Sequence, residues 1–252
     1  MTDQRVAALY DVHGNLPALE AVLADVRACQ VDRVIVGGDV VPGPMPRETL
    51  ACLLGLDQPV DFVRGNGERV VLAQRAREPI DEVPEPHREG IRWNAGQLEP
   101  QQAAAVARWP LIVRRRIDSL GEVLFCHATP RDDNEIFTRV TGEDRLEGAF
   151  GGLDVGLVVC GHTHMPFDRT ICGVRVVNAG SVGMPFGEPG ACWLLLGEGV
   201  EVRRTAYDLA AAAERVRATD CPGAEELARG LLAPPAEQSM VELFEKAVLT
   251  DR

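Results

Sequence analysis

The chain has 252 residues, of which 46% are hydrophobic, and a formal net charge of −12. That supplies enough apolar material for a sizeable α/β core. So acidic a surface weighs against a general nucleic-acid binder, which carries a basic stripe to displace counterions. A phosphorylated substrate stays admissible, because bound cations invert the field locally. The seven cysteines (Cys29, Cys52, Cys126, Cys160, Cys172, Cys192 and Cys221) form no Cys-x-x-Cys pair. They read as small hydrophobes rather than as a zinc knuckle or a disulfide frame. No run approaches a membrane span and the first residues lack a signal peptide's apolar stretch, so no membrane association and a cytoplasmic address are expected.

Strand-like and helical runs alternate through the first two-thirds. Val6-Ala7-Ala8-Leu9-Tyr10 is short and apolar, as a buried parallel strand should be. A helix follows, with Asn15 as its cap, Pro17 in its first turn and Leu16, Leu19, Leu23 and Val26 on one apolar face. Arg33-Val34-Ile35-Val36 and Val60-Asp61-Phe62-Val63 predict further strands. Residues 73–113 read as helical, broken by Pro79, Pro84, Pro86, Pro100 and Pro110. A strand-rich half comes next, over about 111–118, 121–126, 155–160, 167–171, 174–178, 191–197 and 200–205. From Asp208 the chain turns helical again, with breaks near Pro222 and Pro234-Pro235.

Polar clusters stand where five of these strands end: Asp11-Val12-His13, Gly38-Asp39, Gly65-Asn66, His127 and Gly161-His162-Thr163-His164. In open α/β sheets ligands bind beyond the carboxyl ends of strands, so the clusters are expected to converge. They hold four of the chain's five histidines, with two aspartates and an asparagine. A single zinc needs about three or four ligands. Seven candidates suit two ions sharing a carboxylate, with Asp39 after Gly37 and Gly38 as the expected bridge. Asp-x-His and His-x-His spacing places alternate side chains on one side of an extended segment. Mixed imidazole and oxygen donors suit Mn, Fe, Ni or Zn better than Ca or Mg.

The ordered set resembles the calcineurin-like metallophosphoesterases. Asp11-Val12-His13-Gly14-Asn15-Leu16, Phe125-Cys126-His127-Ala128-Thr129-Pro130 and Asn178-Ala179-Gly180-Ser181-Val182-Gly183 are similar to their small bacterial and archaeal phosphodiesterase branch. The likeness runs over about residues 5–205. It implies an α/β four-layer αββα sandwich of two mixed β-sheets flanked by helices, over residues 1–207, while the Ala/Glu/Leu-rich 208–252 reads as a helical C-terminal extension packed on that core. It also implies two divalent transition metals, manganese foremost. One ion would take Asp11, His13, Asp39 and His164, and the other Asp39, Asn66, His127 and His162. A metal-bridging hydroxide would then attack the phosphorus of a small phosphate ester in line, most readily a diester. Asp39, Asn66 and His127 would carry the catalysis, with substrate contacts near Gly67 and Ser181.

The third motif departs from the family pattern. The family has Gly-Asn-His followed by an acid, whereas this chain has Gly65-Asn66-Gly67-Glu68. The missing imidazole assists the leaving group, and such assistance is worth about 10²–10⁴-fold. Activated aryl esters are therefore expected to outrun alkyl monoesters, and a histidine restored at Gly67 to help the latter. The remaining histidine, His87, reads as an exposed loop residue, and Arg64, Arg69 and Arg114-Arg115-Arg116 as surface charge. Other readings are a phosphomonoesterase, a dinucleoside-polyphosphate hydrolase and a metal-binding scaffold without activity. The sequence leaves a homo-oligomer open.

Overall fold

A computed structural model of the chain describes residues 4–247. The first half runs β1 (Val6–Leu9), α1 (Leu16–Ala28), β2 (Arg33–Val36), α2 (Pro46–Leu54), β3 (Val60–Phe62), α3 (Asn66–Ala76), α4 (Glu85–Gln97) and α5 (Pro100–Val106). The second half runs β4 (Ile112–Ile117), β5 (Gly121–Cys126), α6 (Glu143–Phe150), β6 (Leu157–Cys160), β7 (Phe167–Ile171), β8 (Val174–Asn178), β9 (Ala191–Leu196) and β10 (Val200–Thr205). Helices α7 (Leu209–Arg217), α8 (Ala224–Leu232) and α9 (Glu237–Glu245) complete it. None of these helices is long and apolar enough to cross a membrane.

Two five-stranded mixed sheets form, in the orders β10-β9-β1-β2-β3 and β4-β5-β6-β8-β7. The side-chain alternation of the central strands shows why they are layered. Val6, Ala8 and Tyr10 point to a core shared with Val123, Phe125, Leu157 and Val159 of the other sheet. Ala7 and Leu9 point the opposite way, into a core with Leu19, Val22, Leu50 and Val71. On the far side of the second sheet, Leu124, Cys126 and Val158 meet Leu146 and Phe150 of α6. Each central strand is thus covered on both faces, which is why the runs are continuously apolar rather than alternating. The result is the expected four-layer sandwich.

Strands β1, β2 and β3 run parallel, as do β5, β6 and β8. Their carboxyl ends therefore share one edge of the sandwich. The basic run Arg114-Arg115-Arg116 lies exposed on β4, the edge of its sheet, paired with Glu122, Asp154 and Asp61. Several boundaries differ from the sequence pattern, the end of the 73–113 helical run at Val106 among them. The helix expected from residue 73 starts at Asn66, because Glu68 accepts the Gly65 amide (2.8 Å) and closes a first turn directly after β3. Strand β6 begins at Leu157, two residues later than the apolar pattern.

The C-terminal helices lie against the sandwich. Ala213, Val216 and Ala228 cluster with Met45, and Arg215 pairs with Glu20 of α1. The end of the 208–252 segment, residues 248–252, lies outside the described residues, as do residues 1–3.

Asn15 caps α1 by accepting the Ala18 amide, and its Nδ2 donates to Gly183 O (2.9 Å) and Tyr207 Oη (3.3 Å). It thereby ties the first βα loop to the loop after β8. Asn15→Ala is expected to cost about 1–2 kcal/mol, measured by urea denaturation. An unchanged midpoint would contradict this.

Candidate metal centre

Asp11, His13, Asp39, Asn66, His127, His162 and His164 all arrive from the carboxyl ends of β1, β2, β3, β5 and β6. The first set comprises Asp11, His13 and His164, and the second Asp11, Asp39 and His127. Within each set the ligand atoms lie within 4.8 Å of one another. Asp11 Oδ1 is 3.3 Å from His164 Nε2 and 3.9 Å from both His13 Nε2 and His127 Nε2. Asp39 turns Oδ2 towards His13 (3.8 Å) and Oδ1 towards His127 (3.5 Å), straddling the two halves. Asn66 Oδ1 lies 3.0 Å from His127 Nε2. His162 joins through its ring, 5.1 Å from that of His127.

Backbone carbonyls orient the rings. His13 Nδ1 donates to Pro42 O (3.1 Å), His127 Nδ1 to Gly37 O (2.9 Å) and His164 Nδ1 to Met184 O (2.8 Å). His162 is held by the backbone of Asn134. A carbonyl can only accept, so each Nδ1 carries the proton and each Nε2 presents a bare lone pair. Two such lone pairs face each other at 3.1 Å, on His13 and His164. Asp11 Oδ1 and His162 Nε2 are buried and have no hydrogen-bond partner. Acceptors packed this closely without a donor repel one another. Donor atoms bound to one ion at about 2.0–2.2 Å stand roughly 3.0–3.5 Å apart, so the residues present fit divalent cations.

The electrostatics follow from the same packing. Burial lowers His13 to about 4, helped by the neighbouring His164. Burial likewise lowers His162 to about 3, with His127 adding to it. Burial pushes Asp11 up, but the facing His164, His127 and His13 outweigh it and hold the carboxyl below the usual range. Burial and the Asp11 charge raise Asp39, against the Gly67 amide that donates to it. The His13 and His162 imidazoles are therefore neutral at pH 7.

The backbone is bent sharply to achieve this. Among the described residues, eight non-glycine residues have positive φ, and Asp11, His13, Asp39, His162 and His164 are five of them. Each such conformation costs on the order of 1 kcal/mol, and it turns a strand end so that its side chain points into the centre. Gly38, at φ 96°, makes the approach closer still: a Cβ there would sit 2.7 Å from His127 Nδ1.

Several motif residues serve as braces, a role their spacing alone does not assign. Glu68 is fully buried and accepts the amides of Asp39 (2.9 Å), Val40 (2.7 Å), Val41 (3.2 Å) and Gly65 (2.8 Å). It clamps the Asp39 turn to the Asn66 turn. Burial and the Asp39 charge raise its carboxyl to about 7. Asn178 donates to Gly161 O (2.6 Å) and so holds the loop bearing His162 and His164. Asp11 Oδ2 accepts the His162 amide (2.9 Å), joining the first and fifth motifs.

The residues marked for substrate contact serve the frame. Ser181 is fully buried, donates to Asp11 O (2.7 Å) and accepts the Met184 amide (2.7 Å). Gly67 spends its amide on Asp39 Oδ1 (2.7 Å). A Cβ on Gly67 would lie 2.2 Å from Val41 O and 2.7 Å from Pro42 Cδ, so a histidine does not fit there unless the backbone shifts. Arg69 is paired with Asp133 and Glu82, and His87 is exposed in the first turn of α4.

Known proteins resemble the chain over most of its length. The family model described as the calcineurin-like phosphoesterase superfamily domain matches residues 5–198. An uncharacterized protein of Methanocaldococcus jannaschii is 27% identical over 236 residues, covering 86% of this chain and 93% of its own. A metallophosphoesterase from Sphaerobacter thermophilus superposes with TM-score 0.72 at 28% identity, covering 91% of this chain and 98% of its own. A hypothetical protein from Pyrococcus horikoshii shares the fold, with TM-score 0.76 at 19% identity, covering 92% and 98%.

Glu68→Ala leaves buried amides unpaired and is expected to lower stability by about 3 kcal/mol and to weaken metal binding, read by denaturation and by calorimetric titration. Wild-type values for both would refute the clamp. A second expectation concerns acid. His162 titrates near 3 in the fold against about 6.5 when unfolded. As pH falls from 6.5, the unfolded chain binds a proton that the native one refuses, so stability drops. His162→Asn in metal-free protein should flatten that loss by roughly 1 kcal/mol per pH unit, measured between pH 7 and 5. Parallel curves would contradict the neutral imidazole.

Proposed function

Because the chain belongs to the calcineurin-like phosphoesterase superfamily, we propose that it is a two-metal hydrolase of small phosphate esters, with diesters the preferred class. One observation carries the reading. Carboxylate oxygens and imidazole lone pairs converge with no donor between them, Asp11 Oδ1 and His162 Nε2 being buried and unpartnered. Asp11, His13, Asp39 and His164 would hold one cation, and Asp39, Asn66, His127 and His162 the other. The donor mix suits manganese, iron, nickel or zinc. When bound, such cations supply Lewis acidity at the phosphoryl oxygens and make a water nucleophilic at neutral pH.

The chain's own groups do the positioning. Asp39 sits between the halves and, with its Gly67 hydrogen bond, is held in one rotamer. Asn66 opens α3, whose first-turn dipoles favour negative charge where phosphate would sit. His127, fixed by Gly37 O, keeps its lone pair directed inward. No imidazole stands at Gly67 to protonate a departing alkoxide, which favours substrates whose leaving group needs no proton. The cysteines of the chain are free thiols, which supports a reducing compartment such as the cytoplasm.

Metal-stripped protein is expected to gain hydrolysis of bis(p-nitrophenyl) phosphate on adding Mn²⁺, and Asp39→Asn to lose at least about 10²-fold. Cleavage that ignores both chelator and substitution would overturn the two-metal reading. Aryl esters should exceed alkyl monoesters by about 10²-fold or more. Equal turnover of the two would show that another group replaces the missing acid.

A further inference from the structure

Phe186 stands outside the ligand set yet touches it. Its ring lies on His164, with centroids 5.2 Å apart and planes at 21°. Phe244 of α9 packs behind it at 6.1 Å. The C-terminal helix therefore reaches a proposed ligand through two aromatic side chains. The loop between them is held as well, since the Gly187 amide donates to Pro235 O (2.8 Å) just before α9. Met184 O, which orients His164, belongs to this same loop.

The helix is fastened at both ends to the segment that follows His127. Glu237 pairs with Arg139. Glu245 accepts the hydroxyl protons of Thr138 (2.6 Å) and Thr141. Of its nine residues only Val241 is buried. So short a helix does not persist alone in water, so α9 exists only while these few contacts hold it. Its docking and the position of the Phe186 ring are one event.

We propose that α9 is a positioning element of the metal centre, with Phe244 acting through Phe186 to hold the His164 imidazole in its ligating orientation. This rests on His164 being a metal ligand. Linkage then runs both ways: docking strengthens metal binding, and metal binding at His164 tightens docking. The C-terminal segment thus sets the affinity of one of the two cation sites.

The test uses the full chain with Mn²⁺ in calorimetric titration, together with hydrogen exchange of the α9 amides. Phe244→Ala is expected to weaken one binding step about three- to tenfold, the worth of an aromatic contact. Phe244→Tyr, which keeps the ring, should restore it to within about twofold of wild type. Leu243→Ala, on a side chain of the same helix that is 56% exposed, should change nothing. Mn²⁺ should slow exchange in α9. Wild-type affinity in Phe244→Ala, with α9 exchange unaltered by Mn²⁺, would overturn the proposal. If Phe244→Ala does not fold, Glu245→Gln loosens the same helix from its partly exposed end, and wild-type affinity there would overturn it equally. A wild-type chain that binds no Mn²⁺ would instead sink the ligand reading itself, and this inference with it.

Discussion

Lone pairs confront one another at the carboxyl edge of the sandwich, and the proposed cations would supply the positive charge that relieves them. Each imidazole spends its Nδ1 proton on a backbone carbonyl, at Pro42, Gly37 or Met184. What remains faces Asp11 and Asp39 in a largely buried region. Buried charge without a partner is costly, so the surrounding chain has to hold this geometry against that cost. The carbonyls come from loops, and the loops are shaped by the two sheets beneath them. Fold and site are therefore parts of one constraint.

Left-handed backbone at five proposed ligands shows where the fold's stability is spent. Relaxing those turns would swing the side chains apart. A small set of braces prevents it. Glu68 binds two ligand turns through four amides, Asn178 and Ser181 tie neighbouring loops, and Asp11 takes the His162 amide. Glu68, Asn178 and Ser181 are buried and their polar atoms are satisfied, which makes them rigid. Preorganisation of this kind lets the centre hold its shape before ligands arrive.

The third motif and the C-terminal helix show how one site can be varied at its rim. At Gly67 the Val41–Pro42 turn closes so tightly on α3 that there is no space for a side chain. The absence of the imidazole is thus built into the packing of the Asp39 turn rather than confined to one residue. Elsewhere, Phe186 and Phe244 put an aromatic pair where the chain's last described helix meets His164. One change removes proton donation, and the other adds a wall.

The sequence by itself determined the layered α/β core and the set of polar clusters that meet at its edge. Continuous apolar runs such as Val6-Ala7-Ala8-Leu9 require cover on both faces, and Asp11-Val12-His13 or Gly161-His162-Thr163-His164 mark strand ends by residue type alone. These are local signals, readable because periodicity and spacing act over a few positions. The start of α3 at Asn66 was less legible, since it depends on Glu68 closing a turn over Gly65. Only the tertiary structure decided what Glu68, Asn178, Ser181 and Phe186 do, because each acts on a backbone or ring supplied by a different strand or loop. The fate of Gly67 was also hidden, because the atom that excludes a side chain there, Val41 O, is 26 residues away in the chain and reaches it through the packing of β2 against β3. Contacts between segments far apart in sequence have no periodicity to betray them, so they appear only once the chain has folded.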